Sequence, residues 1–261
     1  MVSWPCKRCG FNKVTPLSKP CIRMQIGRNP RTKPLSQLED TVGAYASDVR
    51  GQVRILATAS VLAEFLAEDI ATFLQMEPHR DIRVDLEERV SQDVVRGIKE
   101  GVASLGICWD AADFRGLATR AYRGDRLAVI TAAGHALAQR DTLRFDETLD
   151  YEHVNMPAAS AVLRLLQAAA SRSGKVLRHR VTVSNFESVF RVVRAGLAIS
   201  VAPLEIAAPY AQAHGLRVLP LSDPRSVRHF AICFNPERAL APAASLLLDH
   251  LATVGAAPAP A

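Results

Sequence analysis

From residue 51 onward the apolar and polar positions alternate between two periods, one belonging to strands and one to helices. Gln52 to Ala57 is a β-branched, partly alternating run and predicts a strand. Leu62, Phe65, Leu66, Ile70, Phe73 and Leu74 then recur at spacings of three and four, which puts them on one stripe of a helix. Pro78 closes that helix, and Ile82, Val84 and Leu86 alternate as a second strand. The unit is β–α–β. Such a unit sets the helix N-terminus at the carboxyl end of the first strand, where unpaired backbone N–H groups attract small anions. Thr58 and Ser60 are read as the floor of a ligand site, with helix capping as the competing role for Ser60.

The same alternation continues. Ser91 is placed to cap a short helix carrying Val94, Val95 and Ile98, Gly101 stops it, and Leu105 to Cys108 reads as a third, buried parallel strand. Leu117 to Tyr122 and Arg126 to Thr131 are extended runs, and the chain changes domain near Gly134 to Ala138. His153 to Met156 opens another strand and helix pair, its helix running from Ala159 to Ser171. After the strand Val181 to Val183, Ser184 and Glu187 fit a capping box, so a helix is expected to start at Ser184 and run to Ala195-Gly196. Leu197 to Ala202, Leu216 to Leu219 and Phe230 to Phe234 are further strands; a last helix spans Pro242 to Val254, with Gly255 ending it and a frayed tail over 256–261.

Charge divides the chain differently. Residues 1–34 hold eight Lys/Arg and no acid, which leaves 24 basic against 26 acidic residues in the remainder, so the basic balance belongs to the arm. A basic face for nucleic acid on the body is not indicated. The arm has no helical or strand period and is broken by Pro5, Pro16 and Pro20, which argues for irregular structure. Residues 35–50 read as the end of a helix with Leu38, Val42 and Tyr45 on one stripe. With 49% hydrophobic residues, the chain has material for one large core or two small ones. No apolar run is long enough to span a membrane, and the N-terminus shows no signal-peptide pattern. Five cysteines, with Cys108 and Cys233 in apolar strands, imply no disulfide framework; the cytoplasm is the expected compartment.

In order along the chain, Gly51-Gln52-Val53-Arg54-Ile55, Val102 to Ile107, Gly134-His135-Ala136-Leu137-Ala138 and Ala195 to Pro203 resemble the effector-binding domain of LysR-type bacterial transcriptional regulators. Ser104 stands where an aspartate is common in that family, and Ala136 where a proline is common. The resemblance implies an α/β, periplasmic-binding-protein-like (type 2) fold of two subdomains, one of about 51–130 with 222–255 and one of about 131–221. It also implies a small-molecule effector in the cleft between them, a homodimer or tetramer, and promoter DNA as a partner through a winged helix-turn-helix. That reader is not visible here: 35–50 resembles the remnant of its linker helix, and a truncated or frameshifted upstream region is the expected reason, with a family member that has lost its DNA-binding half as the alternative. Specific operator recognition is not expected from the arm, which offers no rigid element to seat in a groove.

The strand-to-helix turns of both halves point to one crevice. Thr58, Ser60, Ser160, Ser184 and Asn185 are its expected polar residues, Trp109 and Phe186 its expected walls, and a small carboxylate its expected ligand. No catalytic residue, cofactor or metal is expected. Signatures for hydrolysis, dinucleotides, nucleotides and zinc proteolysis are missing, which argues against an enzyme. The seven histidines show no ligand spacing, and Cys6-Lys7-Arg8-Cys9 with Cys21 lacks a nearby fourth zinc ligand. A stand-alone small-molecule-binding protein or enzyme on the same fold is the alternative reading.

Overall fold

A computed structural model describes residues 51–157 and 160–256. The expectations for the arm, the linker remnant and the tail beyond 256 lie outside the described residues.

The chain folds in the order anticipated at its start. Strand β1 (Gly51–Ala57) leads into helix α1, residues 59–75, and then to β2 (Ile82–Glu88), which pairs parallel to β1. Helix α2 (Ser91–Glu100) ends on Gly101 at φ 77°, a left-handed position that a residue with a Cβ enters only with strain. Strand β3 (Leu105–Trp109) pairs parallel to β1 on its other edge. Val53, Ile55 and Ala57 of β1 pack under α1 and the last helix, α6 (Pro242–Ala256), whereas Leu56 packs under α2. From Ile55 to Ala57 the strand is therefore covered on both faces and its apolar residues run without a break, whereas Gln52 and Arg54 before them are exposed.

The two extended runs expected between 117 and 131 are one strand, β4 (Ala118–Ala132), and it spans both halves of the molecule. Its first part, to Arg126, pairs antiparallel with β9 (Val227–Phe234), which in turn pairs with β3. From Leu127 onward it pairs instead with β7 (Ser200–Pro203) and β8 (Leu216–Pro220). The return passage runs through 221–226, where the Leu221 N–H donates to the Leu127 carbonyl at 3.2 Å. These two passages separate the two subdomains. The second contains the parallel pair β5 (His153–Asn155) and β6 (His179–Thr182), with helices α3 (Ala161–Arg172), α4 (Phe186–Arg194) and α5 (Leu204–His214).

Three local expectations are corrected. Helix α5 had no counterpart in the sequence pattern: only Ile206 and Ala207 are buried, so it shows almost no apolar stripe, and Pro209 inside it reads as a breaker. Gly255 does not end α6; it lies within the helix, where a Cβ would come to 2.8 Å from the Tyr122 Cα, so close packing on β4 requires glycine there. The cap of α4 is Asn185 rather than Ser184, its Oδ1 accepting the Ser188 N–H at 2.8 Å. An amide one residue later supplied what the capping box promised.

Candidate functional site

Between the subdomains lies a cleft of about 840 Å³, counting its open mouth. Helix N-termini from both sides meet there. From the first subdomain come the β1–α1 turn at Thr58 to Ser60 and the β2–α2 turn at Glu88 to Ser91; from the second come the β5–α3 turn through Ser160 and the β6–α4 turn at Ser184 and Phe186. Trp109 ends β3 opposite Phe230 of β9, and both line the cleft. The topology produces this convergence, since in an α/β sheet each parallel strand delivers its helix start to the same end.

Six of the seven residues expected from the sequence line the cleft: Thr58, Ser60, Trp109, Ser160, Ser184 and Phe186. Asn185 does not, because its side chain is turned into the α4 cap. Thr58 holds the N-cap position of α1 in extended backbone without a side-chain cap bond. Ser60 does not cap either; it is buried in the first turn, with its Oγ 3.5 Å from Arg228 Nη2. Ser160 does cap, its Oγ accepting the Leu163 N–H at 3.1 Å, which leaves its O–H proton to donate elsewhere.

The sequence reading missed two residues that matter here. Ser91 is a wall residue, 5% exposed, and its Oγ has no hydrogen-bond partner among the described residues, although it was expected merely to cap α2. The cap position belongs to Val90, and Ser91 is the first residue of the helix. A serine in a strand-to-helix turn was the available signal, the same one that singled out Thr58. Arg228 had no signal at all. Its guanidinium, 2% exposed, lines the cleft and is forked onto Asp125 of β4, with Nε donating to Oδ1 at 2.8 Å and Nη2 to Oδ2.

Behind the fork sits Glu64, in the π-helical turn Leu62–Leu66 of α1. Burial, reinforced by the neighbouring Asp125 carboxylate, pushes its carboxyl up to about 10. Burial also raises Asp125, with the Arg228 guanidinium opposing. At neutral pH Glu64 is protonated, so the ion pair and the neutral acid together carry no net charge. A ligand in the cleft therefore meets hydroxyls and helix N-termini rather than an uncompensated cation. At the mouth, Arg89 is likewise paired, with Glu87.

The site has little with which to do covalent chemistry. Its serines have no histidine or carboxylate base in hydrogen-bond reach among the described residues. His153 is wholly buried at the start of β5, where desolvation lowers it to about 4 and its Nδ1 lies 3.1 Å from the Tyr151 carbonyl. Cys108 is buried beside Cys233, and the hydrogen bond between the two thiols, together with burial, pushes its pKa far above that of a reactive thiol. Among the described residues no group of three or more His, Cys, Asp or Glu is arranged to hold a metal ion, and no helix is long and apolar enough to cross a membrane.

The family model for the LysR substrate binding domain matches residues 46–256. The chain belongs to the LysR substrate-binding domain family. Within curated relatives, it is 27% identical over 220 residues to the HTH-type transcriptional regulator YfeR of Shigella flexneri, covering 82% of this chain and 68% of the relative. Among solved structures, the effector-binding domain of QuiR in complex with shikimate superimposes with a TM-score of 0.69 at 18% identity, covering 79% of this chain and 97% of that one. The BenM effector-binding domain with benzoate superimposes at 0.66 and 20% identity, covering 78% and 91%. The two-subdomain, periplasmic-binding-protein-like fold expected from the LysR resemblance is the fold of these domains.

Proposed function

We propose that this LysR-family chain senses a small organic carboxylate, held between its subdomains, and reports the resulting closure to transcription. The observation that carries the reading is the buried Ser91 hydroxyl, unpartnered at the start of α2 and facing a cleft that also receives Ser60, Ser160 and Ser184. An unpaired buried hydroxyl is unfavourable by itself and becomes favourable when a ligand oxygen accepts its proton. Helix starts from both subdomains add partial positive charge, so one carboxylate can draw the two halves together. Shikimate and benzoate, named with the two similar domains, are both carboxylates of the size this cleft accommodates.

The subdomains are assigned as about 51–130 with 222–255 and about 131–221, in a cytoplasmic, non-enzymatic regulator. A homodimer is expected to form through α1 and β2, the latter an edge strand with Leu86 40% exposed. The test is a thermal-shift screen of organic acids, followed by titration of Ser60→Ala, Ser91→Ala and Ser184→Ala. Weakened binding in these variants is the expected result. Acids that bind wild type and all three variants equally would move the site elsewhere.

A further inference from the structure

A second cavity, of about 630 Å³ with its mouth included, lies along α3 and meets the cleft at Leu166. Its floor is apolar: Leu127, Phe145 and Leu221 are buried, and Leu165 and Leu166 of α3 close it. The polar atoms at the floor are already bonded. Ser226 Oγ donates to the carbonyls of Leu221 and Asp223, and Asp223 Oδ2 accepts the Phe145 N–H at 2.7 Å. A ligand body seated there needs no polar group of its own.

The rim is different. Arg172, in the last turn of α3, and Arg225, in the return passage, both line the mouth, and neither has an ion-pair partner among the described residues. Asp223 is the one acid in the wall, so the pocket carries one net positive charge. We propose that this pocket is a second ligand site, for an amphipathic monocarboxylate whose apolar body fills the floor and whose carboxylate bridges Arg172 and Arg225. Guanidinium groups recognise a carboxylate in this manner, and an apolar pocket with a few converging polar groups is the usual form of a small-molecule site.

The pocket adjoins both subdomain passages. Leu127 is the first residue of β4 paired in the second subdomain, and 221–226 is the return passage. Leu166 lines the second pocket and the cleft alike. An occupant therefore touches the segments about which the subdomains move and is linked to cleft occupancy, whatever the cleft ligand proves to be.

Isothermal titration of the 261-residue chain with hexanoate, phenylpropionate and naphthoate, each beside its uncharged alcohol, tests this. Saturable binding of at least one acid is expected, with its alcohol weaker by about tenfold. Arg172→Glu with Arg225→Glu, both on exposed side chains, is expected to abolish that binding, and Ala169→Trp, which fills the pocket, to do the same. Should Ala169→Trp fail to fold, the arginine double variant decides. The proposal is overturned if no acid saturates by about 5 mM, if acid and alcohol bind alike, or if binding survives the double arginine variant.

Discussion

Arg228 and Asp125 close a two-bond fork where β9 and β4 run side by side next to the subdomain passage, and both side chains are almost completely removed from water. Asp125 is the residue before Arg126, the last position of β4 paired with β9. Breaking one side of such a pair leaves the other charge buried and uncompensated. Asp125→Ala is expected to destabilise the fold by about 3–5 kcal/mol, and Asp125→Leu with Arg228→Met to recover most of it. Urea denaturation reads both; a loss below about 1 kcal/mol for the single variant would mean that water reaches the pair.

Glu64 gives the fold a pH dependence of known sign. The unfolded chain loses this proton above an ordinary value of 4.5, and the folded chain keeps it up to about 10. The native state thus binds more protons throughout that window, and stability falls as pH rises through it. Glu64→Gln keeps the shape without the proton, so it is expected to raise stability at pH 8 by on the order of 1–2 kcal/mol and to change little at pH 5. Equal gains at both pH values would assign the effect to packing.

For Ser91 the expected effects on folding and on binding differ. Removing an unbonded buried hydroxyl should leave the ligand-free protein as stable or slightly more so, whereas a ligand that accepts its proton should bind more weakly by about 1 kcal/mol, or roughly fivefold, in Ser91→Ala. Melting temperature and titration on the same sample separate the two. A variant that loses stability and keeps affinity would show that the hydroxyl is structural.

The edge strand β2 presents Leu86 to solvent between Asp85, bonded to Gln52, and Glu87, paired with Arg54 at 2.7 Å. A charge at that position is unfavourable only if a second copy covers it. Leu86→Glu is expected to convert a dimer to a monomer in light scattering at micromolar concentration while leaving the melting profile of the monomer unaltered. Identical mass for both proteins would place the dimer contact on another surface.

Local order in the first subdomain was legible from residues alone. Apolar spacing located β1, α1, α2 and β3 because each buries its own stripe or face, and a buried stripe needs a period; it located β2 as well, although only Ile82 of that strand is buried. The Thr58 to Ser60 turn followed from where parallel strands deliver their helices, whereas Ser91 in the next such turn was read only as a cap. Helix α5 escaped because it buries almost nothing in a regular pattern, and the continuity of β4 escaped because a bulge between Ala121 and Gly124 interrupts its alternation. Arg228, Asp125 and Glu64 were beyond reach for a different reason. They lie far apart in the chain, 103 residues between Arg228 and Asp125, on β9, β4 and α1, and a charged residue in a sequence carries no mark of the partner that will let it be buried. Periodicity along the chain set the elements; the antiparallel return of β9 against β4 alone decided which charges would meet behind the cleft.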